Sequence, residues 1–300
     1  MSSLRGVIYI VAGAASYGVL ATGVKLANLD GHHTAALTFF QFLFGVGVLS
    51  LAARFTDAQR PAAAGDRRDK LKLLAYGTSL GLTSCFYYLA LRYVPVSIAI
   101  ILLMQTIWMG TVLEMILTRS RPSRLKTIGS LVVLVGTALA VDIFNNLDAL
   151  DPVGVGYGLL ASMAYTVALL ASNQVALDLP DMTRSKYLVL GGFGAILLFW
   201  NVSIITHLEV GDWALWAYGG FLALFGTILP PWLFNRGFPV VGVGLGSILA
   251  AVEIPVSILS ANFLLDEQVR AIQWLGVFII IVSVVLINYR HLRGESTLVS

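Results

Sequence analysis

The sequence predicts an all-α membrane protein, with ten transmembrane helices in two inverted five-helix repeats. Three observations predict it: a succession of apolar runs of crossing length, a one-sided distribution of basic residues, and a self-similarity between the two halves of the chain. Hydrophobic residues make up 58% of the sequence and charged residues 12%, against about 25% charged in soluble domains. The mean hydropathy is +0.85. The runs lie at about 6–26, 34–53, 73–91, 96–117, 127–143, 154–177, 187–206, 213–234, 240–264 and 272–289. Each is close to the twenty or so residues that a helix rising about 1.5 Å per residue needs to cross hydrocarbon.

Taken in order, the runs are separated by short joints whose charges fix an orientation. The first run follows Arg5 and is too long and too lightly charged at its start for a cleaved signal peptide, so it is expected to remain a helix. The second ends at Arg54. Residues 54–72 form the one long joint and hold Arg60, Arg67, Arg68, Lys70 and Lys72; its Ala/Pro/Asp/Arg-rich composition predicts mobility. The third and fourth runs meet at Arg92-Tyr93-Val94-Pro95, and the fourth and fifth at Arg119, Arg121, Arg124 and Lys126. Arg184 and Lys186 precede the seventh run, Arg236 separates the eighth from the ninth, and Arg290 and Arg293 follow the tenth. With the N-terminus inside, 16 of the 19 basic residues fall on the cytoplasmic side, leaving Lys25, Arg92 and Arg270 outside. The positive-inside rule then puts both termini in the cytoplasm. The net charge of +3 is read as this loop asymmetry facing anionic lipid, not as a nucleic-acid surface. Lone Cys85 has no partner for a disulfide within the chain, and the Asn201-Val202-Ser203 sequon lies inside a span, where it cannot be glycosylated.

The halves, 1–150 and 151–300, echo one another. At an offset of 148, Ala15-Ser16-Tyr17 meets Met163-Ala164-Tyr165, Gly6 meets Gly154, and Lys25 meets Asn173. At an offset of 144, Arg92-Tyr93-Val94-Pro95-Val96 meets Arg236-Gly237-Phe238-Pro239-Val240. Five spans per half is an odd number, so the second copy enters the membrane upside down. Inverted repeats are the architecture of many secondary transporters, whose substrate sites lie near the midplane at the repeat interface.

Particular residues sharpen this pattern into a resemblance. Ser16-Tyr17-Gly18 with Lys25, the stretch Ala90 to Ala99, Glu253-Ile254-Pro255-Val256, Leu264-Leu265-Asp266-Glu267 and Trp274-Leu275-Gly276 together resemble the drug/metabolite transporter superfamily, in its EamA-type ten-helix branch. Gln41 stands where that resemblance expects a basic residue, and Gln105-Thr106-Ile107 where it expects a proline-containing turn. The resemblance implies a secondary active transporter of a bacterial inner membrane. Its cargo would be small polar or amphipathic metabolites, such as exported amino acids. The alternatives are uptake or exchange of a phosphorylated or nucleotide-linked solute, which the scarcity of membrane-embedded Lys and Arg disfavours, and a non-transporting membrane scaffold.

Polar groups inside the runs are the candidate site. Glu253 and Glu114 are the acids that lie within spans, and a charge there costs at least about 2.5–3.5 kcal/mol on insertion scales. Glu253, the deeper, is expected to face a cavity on a stripe with Gly242, Gly246, Ser257 and Ser260, with Pro255 freeing a carbonyl beside it. It is read as a midplane carboxylate that binds a substrate amine or carries a coupling proton, neutral while the site is dry, against the alternative of a protonated packing residue. Glu114 is expected to pair with a basic residue of the 119–126 joint. Gln105 and Trp108, one helical turn apart, offer an amide and an aromatic plate for a pocket, and Tyr17 and Tyr165 occupy equivalent mid-span positions. Asn173 is a further cavity candidate, and Lys25 a gate that could pair with Asp266 or Glu267. Tyr87, Tyr88 and Trp232 read as core. No H-E-x-x-H, G-x-S-x-G or Walker A motif occurs, so neither an enzyme nor a cofactor or metal site is expected. The expected partners are a small-molecule substrate, membrane lipids and protons.

Overall fold

The computed structural model describes residues 3–57, 67–94, 96–119, 121–122, 124–140, 142, 151–208, 211–265 and 269–296, and among them there is helix and no strand. In the first half, α1 (Ser3–Leu29), α2 (Thr34–Asp57) and α3 (Arg67–Ala90) are followed by α4 (Val96–Leu103), α5 (Thr106–Thr118) and α6 (Arg124–Ala140). In the second, α7 (Pro152–Gln174) and α8 (Asp181–His207) precede α9 (Trp213–Leu222), a π-helical segment (Ala223–Ile228) and α10 (Leu229–Val241). Then come α11 (Val243–Ala250), α12 (Glu253–Leu265) and α13 (Ala271–Ser296). Among the described residues seven stretches are long and apolar enough to cross a membrane, and two shorter apolar helices, Lys126–Ala140 and Ala271–Leu286, accompany them. α3 is not among the seven: its first turns carry Arg67, Arg68, Lys70 and Lys72, and the uncharged stretch after them, 73–90, is diluted by Gly, Ser, Thr and Tyr. Of the 54–72 joint, residues 58–66 lie outside the described residues, while 54–57 end α2 and 67–72 begin α3.

The fourth, eighth and ninth predicted runs are broken, each with a local cause, and the seventh is kinked at Asn201 (φ 21°, ψ −100°). The fourth turns at Met104–Gln105 between α4 and α5, the ninth at Ala251–Val252 between α11 and α12, an offset of 147. At both, the backbone satisfies itself with bonds spanning three residues: Gln105 N–H to the Leu102 carbonyl (3.2 Å), and Val252 N–H to that of Leu249 (3.2 Å). Such bonds let a helix change direction without stranding polar groups in hydrocarbon. The eighth run widens into the π-helical segment just before Pro230 and Pro231, whose ring nitrogens cannot donate to the preceding turn. α10 then continues through Arg236 and Pro239, so Arg236 sits in a helix and not in a joint. It stops where Gly242 takes φ +86°.

These breaks correct the expected stripe on the ninth run. Glu253 opens a new helix, and Pro255 falls in that helix's first turn, where a missing N–H costs little. The carbonyl that Pro255 would have left free, that of Ala251, accepts from Ile254 N–H (3.1 Å). Gly242 and Gly244 face the Glu114 carboxylate and Gly246 the Phe238 ring; a neighbouring backbone comes near at Gly244, where Thr111 Cα would lie 3.6 Å from a Cβ.

The most extensive helix pairings join the halves: α3 with α8 and α7, α2 with α8, α6 with α13, and α1 with α10 and α12. α3 and α8 meet backbone to backbone. A Cβ at Gly77 would stand 2.2 Å from the Leu188 carbonyl oxygen, and one at Gly81 2.3 Å from that of Gly192. The Gly77-x-x-x-Gly81 spacing makes that approach possible. The main core collects Ile10, Met104, Ile107, Phe238, Ile248 and Ile254 from both halves. Outward faces are apolar as well: Leu198 is 81% exposed and Phe263 77%, a surface suited to lipid and not to water.

The two ends of the bundle are closed by different chemistry. At one, the histidine end, His33 and His207 stack with ring centroids 3.7 Å apart. His33 Nδ1 accepts from Ala35 N–H (3.2 Å), and Arg92 faces the other ring nitrogen at 3.5 Å. His32 meets Asp212 at 3.2 Å, and the Tyr218 hydroxyl donates to Asp30. At the other, the arginine end, Arg184 is 1% exposed, and its hydrogen bonds among the described residues go to backbone carbonyls. Its guanidinium donates to the carbonyls of Val175 (3.0 Å), Asn235 (2.9 Å), Ala171 (3.4 Å) and Ser172 (2.8 Å). It thereby satisfies the open C-terminal carbonyls of α7 and ties them to α10. Beside it Arg236 pairs with Asp181 (2.9 Å) and lies 4.5 Å over the Trp232 ring.

Arg184→Met should therefore lower the apparent unfolding midpoint markedly, because four buried acceptors lose a charged donor, an interaction of about 1.5–3 kcal/mol each at most. Tryptophan-fluorescence melts of the detergent-purified protein would read this, and a midpoint equal to wild type would contradict it. Burial, followed by the neighbouring His207 and Arg92, holds His33 below the ordinary histidine range. The unfolded chain then binds the proton more readily than the folded one, so stability contributed at His33 is lost as pH falls below about 6.5. Wild type should lose midpoint between neutral and mildly acid pH more steeply than His33→Gln; parallel slopes would remove this assignment.

Candidate functional site

A cavity of about 70 Å³ lies where α1, α2, α3, α7, α12 and the π-helical segment converge. Its lining includes Tyr17, Leu20 and Val24 of α1, Gln41 and Phe42 of α2, Leu80, Thr83, Ser84, Tyr87 and Tyr88 of α3, Tyr165, Thr227 and Glu253. Along α1 and α3 these residues occupy the half nearer the histidine end. On the arginine side the space is filled by Phe234, whose ring packs on Tyr17 (5.8 Å) and Phe238 (5.2 Å).

Each polar wall residue is held by its own element. Glu253 is the first residue of α12, placed at the cavity by the Ala251–Val252 turn. Gly18 allows α1 to press against it: a Cβ there would lie 2.6 Å from the Glu253 carbonyl oxygen. Gln41 is fixed through its backbone, whose carbonyl accepts from the Thr227 hydroxyl (3.1 Å), and its amide lies over Gly226. Tyr17 and Tyr165 meet edge to face at 5.9 Å, and Tyr87 contacts Tyr88 at 6.1 Å. Glu253 lies within electrostatic reach of the Tyr17, Tyr87 and Tyr165 hydroxyls.

Three buried polar atoms at this cavity have no hydrogen-bond partner among the described residues: Gln41 Oε1, the Tyr165 hydroxyl and Glu253 Oε2. An unmade bond of this kind costs about 1–3 kcal/mol. Their convergence marks a place where water or a ligand completes the protein. None of the described lining residues is Lys, Arg or His, so the wall offers one carboxylate and no positive charge.

Of the residues the sequence singles out, the structure brings Tyr17, Tyr165 and Glu253 together here. It takes others elsewhere. Gln105 and Trp108 are a correction: neither lines the cavity, and Trp108 is 42% exposed on the outer surface. The turn at Met104–Gln105 lets Gln105 bond back to the Ile101 carbonyl (3.1 Å) while accepting from Trp108 Nε1 (2.8 Å), so the pair satisfies itself. Asn173 is a second correction. Its amide donates to the Phe238 carbonyl, joining α7 to α10 at the arginine end. Lys25 is partly buried within α1, and Asp266 and Glu267 lie outside the described residues. Glu114 accepts from Lys126 through both oxygens, at 2.9 and 2.8 Å. Sequence reasoning missed Gln41, Tyr87 and Tyr88 as cavity residues. The signal for Gln41 was an amide in an otherwise apolar span, and for the tyrosines a pair of hydroxyls late in a span.

The sequence profile of the EamA-like transporter family matches residues 4–141 and again residues 152–289. A solved structure titled "Crystal structure of protein" superposes with a TM-score of 0.76 at 14% identity, over 96% of this chain and 98% of that one. At that identity the likeness speaks for the fold alone. No curated protein matches the sequence. The double match spans nearly the whole chain, and it coincides with the two helical halves whose pairings enclose the cavity. The chain is an integral membrane protein that belongs to the EamA-like transporter family.

Proposed function

We propose that this protein is a secondary active transporter, an exporter of small polar or amphipathic metabolites such as amino acids, working by alternating access around the cavity at Glu253. The observation that carries the reading is the convergence of three unpartnered polar atoms on one cavity between two copies of the family unit. A scaffold gains nothing from leaving them unsatisfied. The chain crosses a bacterial inner membrane ten times in two inverted repeats, with both termini cytoplasmic, as the 16-to-3 division of basic residues supports. In that orientation the histidine end faces outward and the arginine end inward. The Arg236–Asp181 pair and the Phe234 plug then close the cytoplasmic side, and the His32–Asp212 and Tyr218–Asp30 contacts brace the outer one. Glu253 alternates between a protonated state in the dry cavity and an ionised one when water or a substrate ammonium arrives.

A reporter fused after Gly65 or at the C-terminus should score as cytoplasmic, and one at Gly31 as external; termini on opposite sides would remove the inverted topology. In proteoliposomes loaded with a labelled metabolite mixture, wild type should export part of the mixture in a pH-dependent manner. Glu253→Gln keeps size and hydrogen bonding but cannot titrate, so transport should stop or lose its pH dependence while the gel-filtration profile is unchanged. Unaltered transport and pH profile in that variant would reduce Glu253 to a packing residue.

A further inference from the structure

We infer that the cavity selects a small monovalent organic cation, a simple amine without a carboxylate, and that each cation bound displaces one proton from Glu253. This rests on the transport reading above and deepens it, replacing amino acids with carboxylate-free amines as the cargo. Four features of the wall point the same way.

The first is charge. The described lining has one carboxylate, Glu253, and no basic side chain. An amino acid zwitterion would satisfy its ammonium at Glu253 and leave its own carboxylate buried without a donor of opposite charge, which is strongly unfavourable. An amine has no such remainder. The second is the aromatic surround. Tyr17, Tyr87, Tyr88 and Tyr165 all line the space, and three of them lie within electrostatic reach of Glu253. A desolvated cation over a tyrosine face gains on the order of 2 kcal/mol, an attraction that neutral solutes and anions do not share. The third is the set of unfilled acceptors. Glu253 Oε2 and Gln41 Oε1 are acceptors with no donor, and the Tyr165 hydroxyl can accept as well. An ammonium group brings three donors and no acceptor, which complements them. The fourth is size. A cavity of about 150 Å³ holds benzene, so about 70 Å³ suits a solute of some three or four heavy atoms.

The exchange follows from the same geometry. An isolated carboxylate in this setting is too costly to keep ionised, so the empty site holds Glu253 as the acid. Entry of the cation pairs with the carboxylate, and the acid proton leaves to water. One positive charge arrives and one departs, so exchange across the membrane is electroneutral.

The test uses the full-length protein in detergent with radiolabelled ethylammonium as probe, and a pH dye in weakly buffered solution. Ethylammonium should bind saturably and release close to one proton per cation bound. Unlabelled ethylammonium should compete, whereas acetamide, acetate and glycine at about a hundredfold excess should not. Glu253→Gln should weaken binding at least about thirtyfold, the cost of removing one partner of a buried charge pair. If Glu253→Gln does not fold, the competition series on wild type and the proton count decide alone. Competition by glycine or acetamide as strong as by ethylammonium would overturn the cation assignment while leaving a transporter of other small metabolites standing. Unchanged affinity in a folded Glu253→Gln would overturn it too. Absence of binding by any of the four solutes would overturn it as well; whether the metabolite mixture still moves in proteoliposomes then decides the transport reading separately.

Discussion

Hydrocarbon supplies no hydrogen bonds, and most of what is distinctive in this bundle is an answer to that constraint. Every backbone group set free by a break must find a partner within the protein. At Met104–Gln105 and Ala251–Val252 the partners are carbonyls three residues back, and at the end of α7 they are supplied by the Arg184 guanidinium. Glu114, the other acid within a span, receives Lys126 on both oxygens. Against that background the open valences of Gln41, Tyr165 and Glu253 stand out, because they are gathered at a single cavity.

The two copies of the family unit are used unequally at this site. The equivalent turns at offset 147 place Thr106 and Glu253 at corresponding positions, each opening the helix after its break. Thr106 is fully buried and exchanges a hydrogen bond of 2.7 Å with the Thr166 hydroxyl, so that position is complete. Glu253 is also buried and is incomplete. The duplicated architecture thus provides two breaks, and chemistry has been retained at one. Close approach at Gly18 presses α1, which carries Tyr17, onto the acidic break.

Much of this is legible in the sequence, and the limits of that legibility are physical. Helix positions follow from apolar length, because the bilayer imposes it. Tyr17, Tyr165 and Glu253 can be singled out because polar groups at mid-span are costly wherever they point. Direction is harder. Regular stepping at about 100° per residue puts Gln105 and Trp108 on one face, but it cannot say which way that face points once the helix has turned at Met104–Gln105. That pair closes on itself at the outer surface. The equivalent break at Ala251–Val252 dissolves the expected small-residue stripe leading to Glu253. Arg184 reads as one more topological charge in a joint, and only the tertiary arrangement reveals that it is buried among carbonyls. The π-helical segment ahead of Pro230 and Pro231 was not read from the sequence either.

The Arg184 hub also bears on how the chain is assembled. Three of its four acceptors, Ala171, Ser172 and Val175, belong to α7 and the turn that follows it, immediately upstream of Arg184 itself. They are available as soon as α7 and the start of α8 leave the ribosome and insert side by side. The fourth, Asn235, arrives some fifty residues later, with α10. The hairpin can therefore close around its arginine early, with Nη1 still to find its acceptor. During biogenesis that donor is a waiting berth for α10, and it gives the second half of the protein an order in which its helices come to rest.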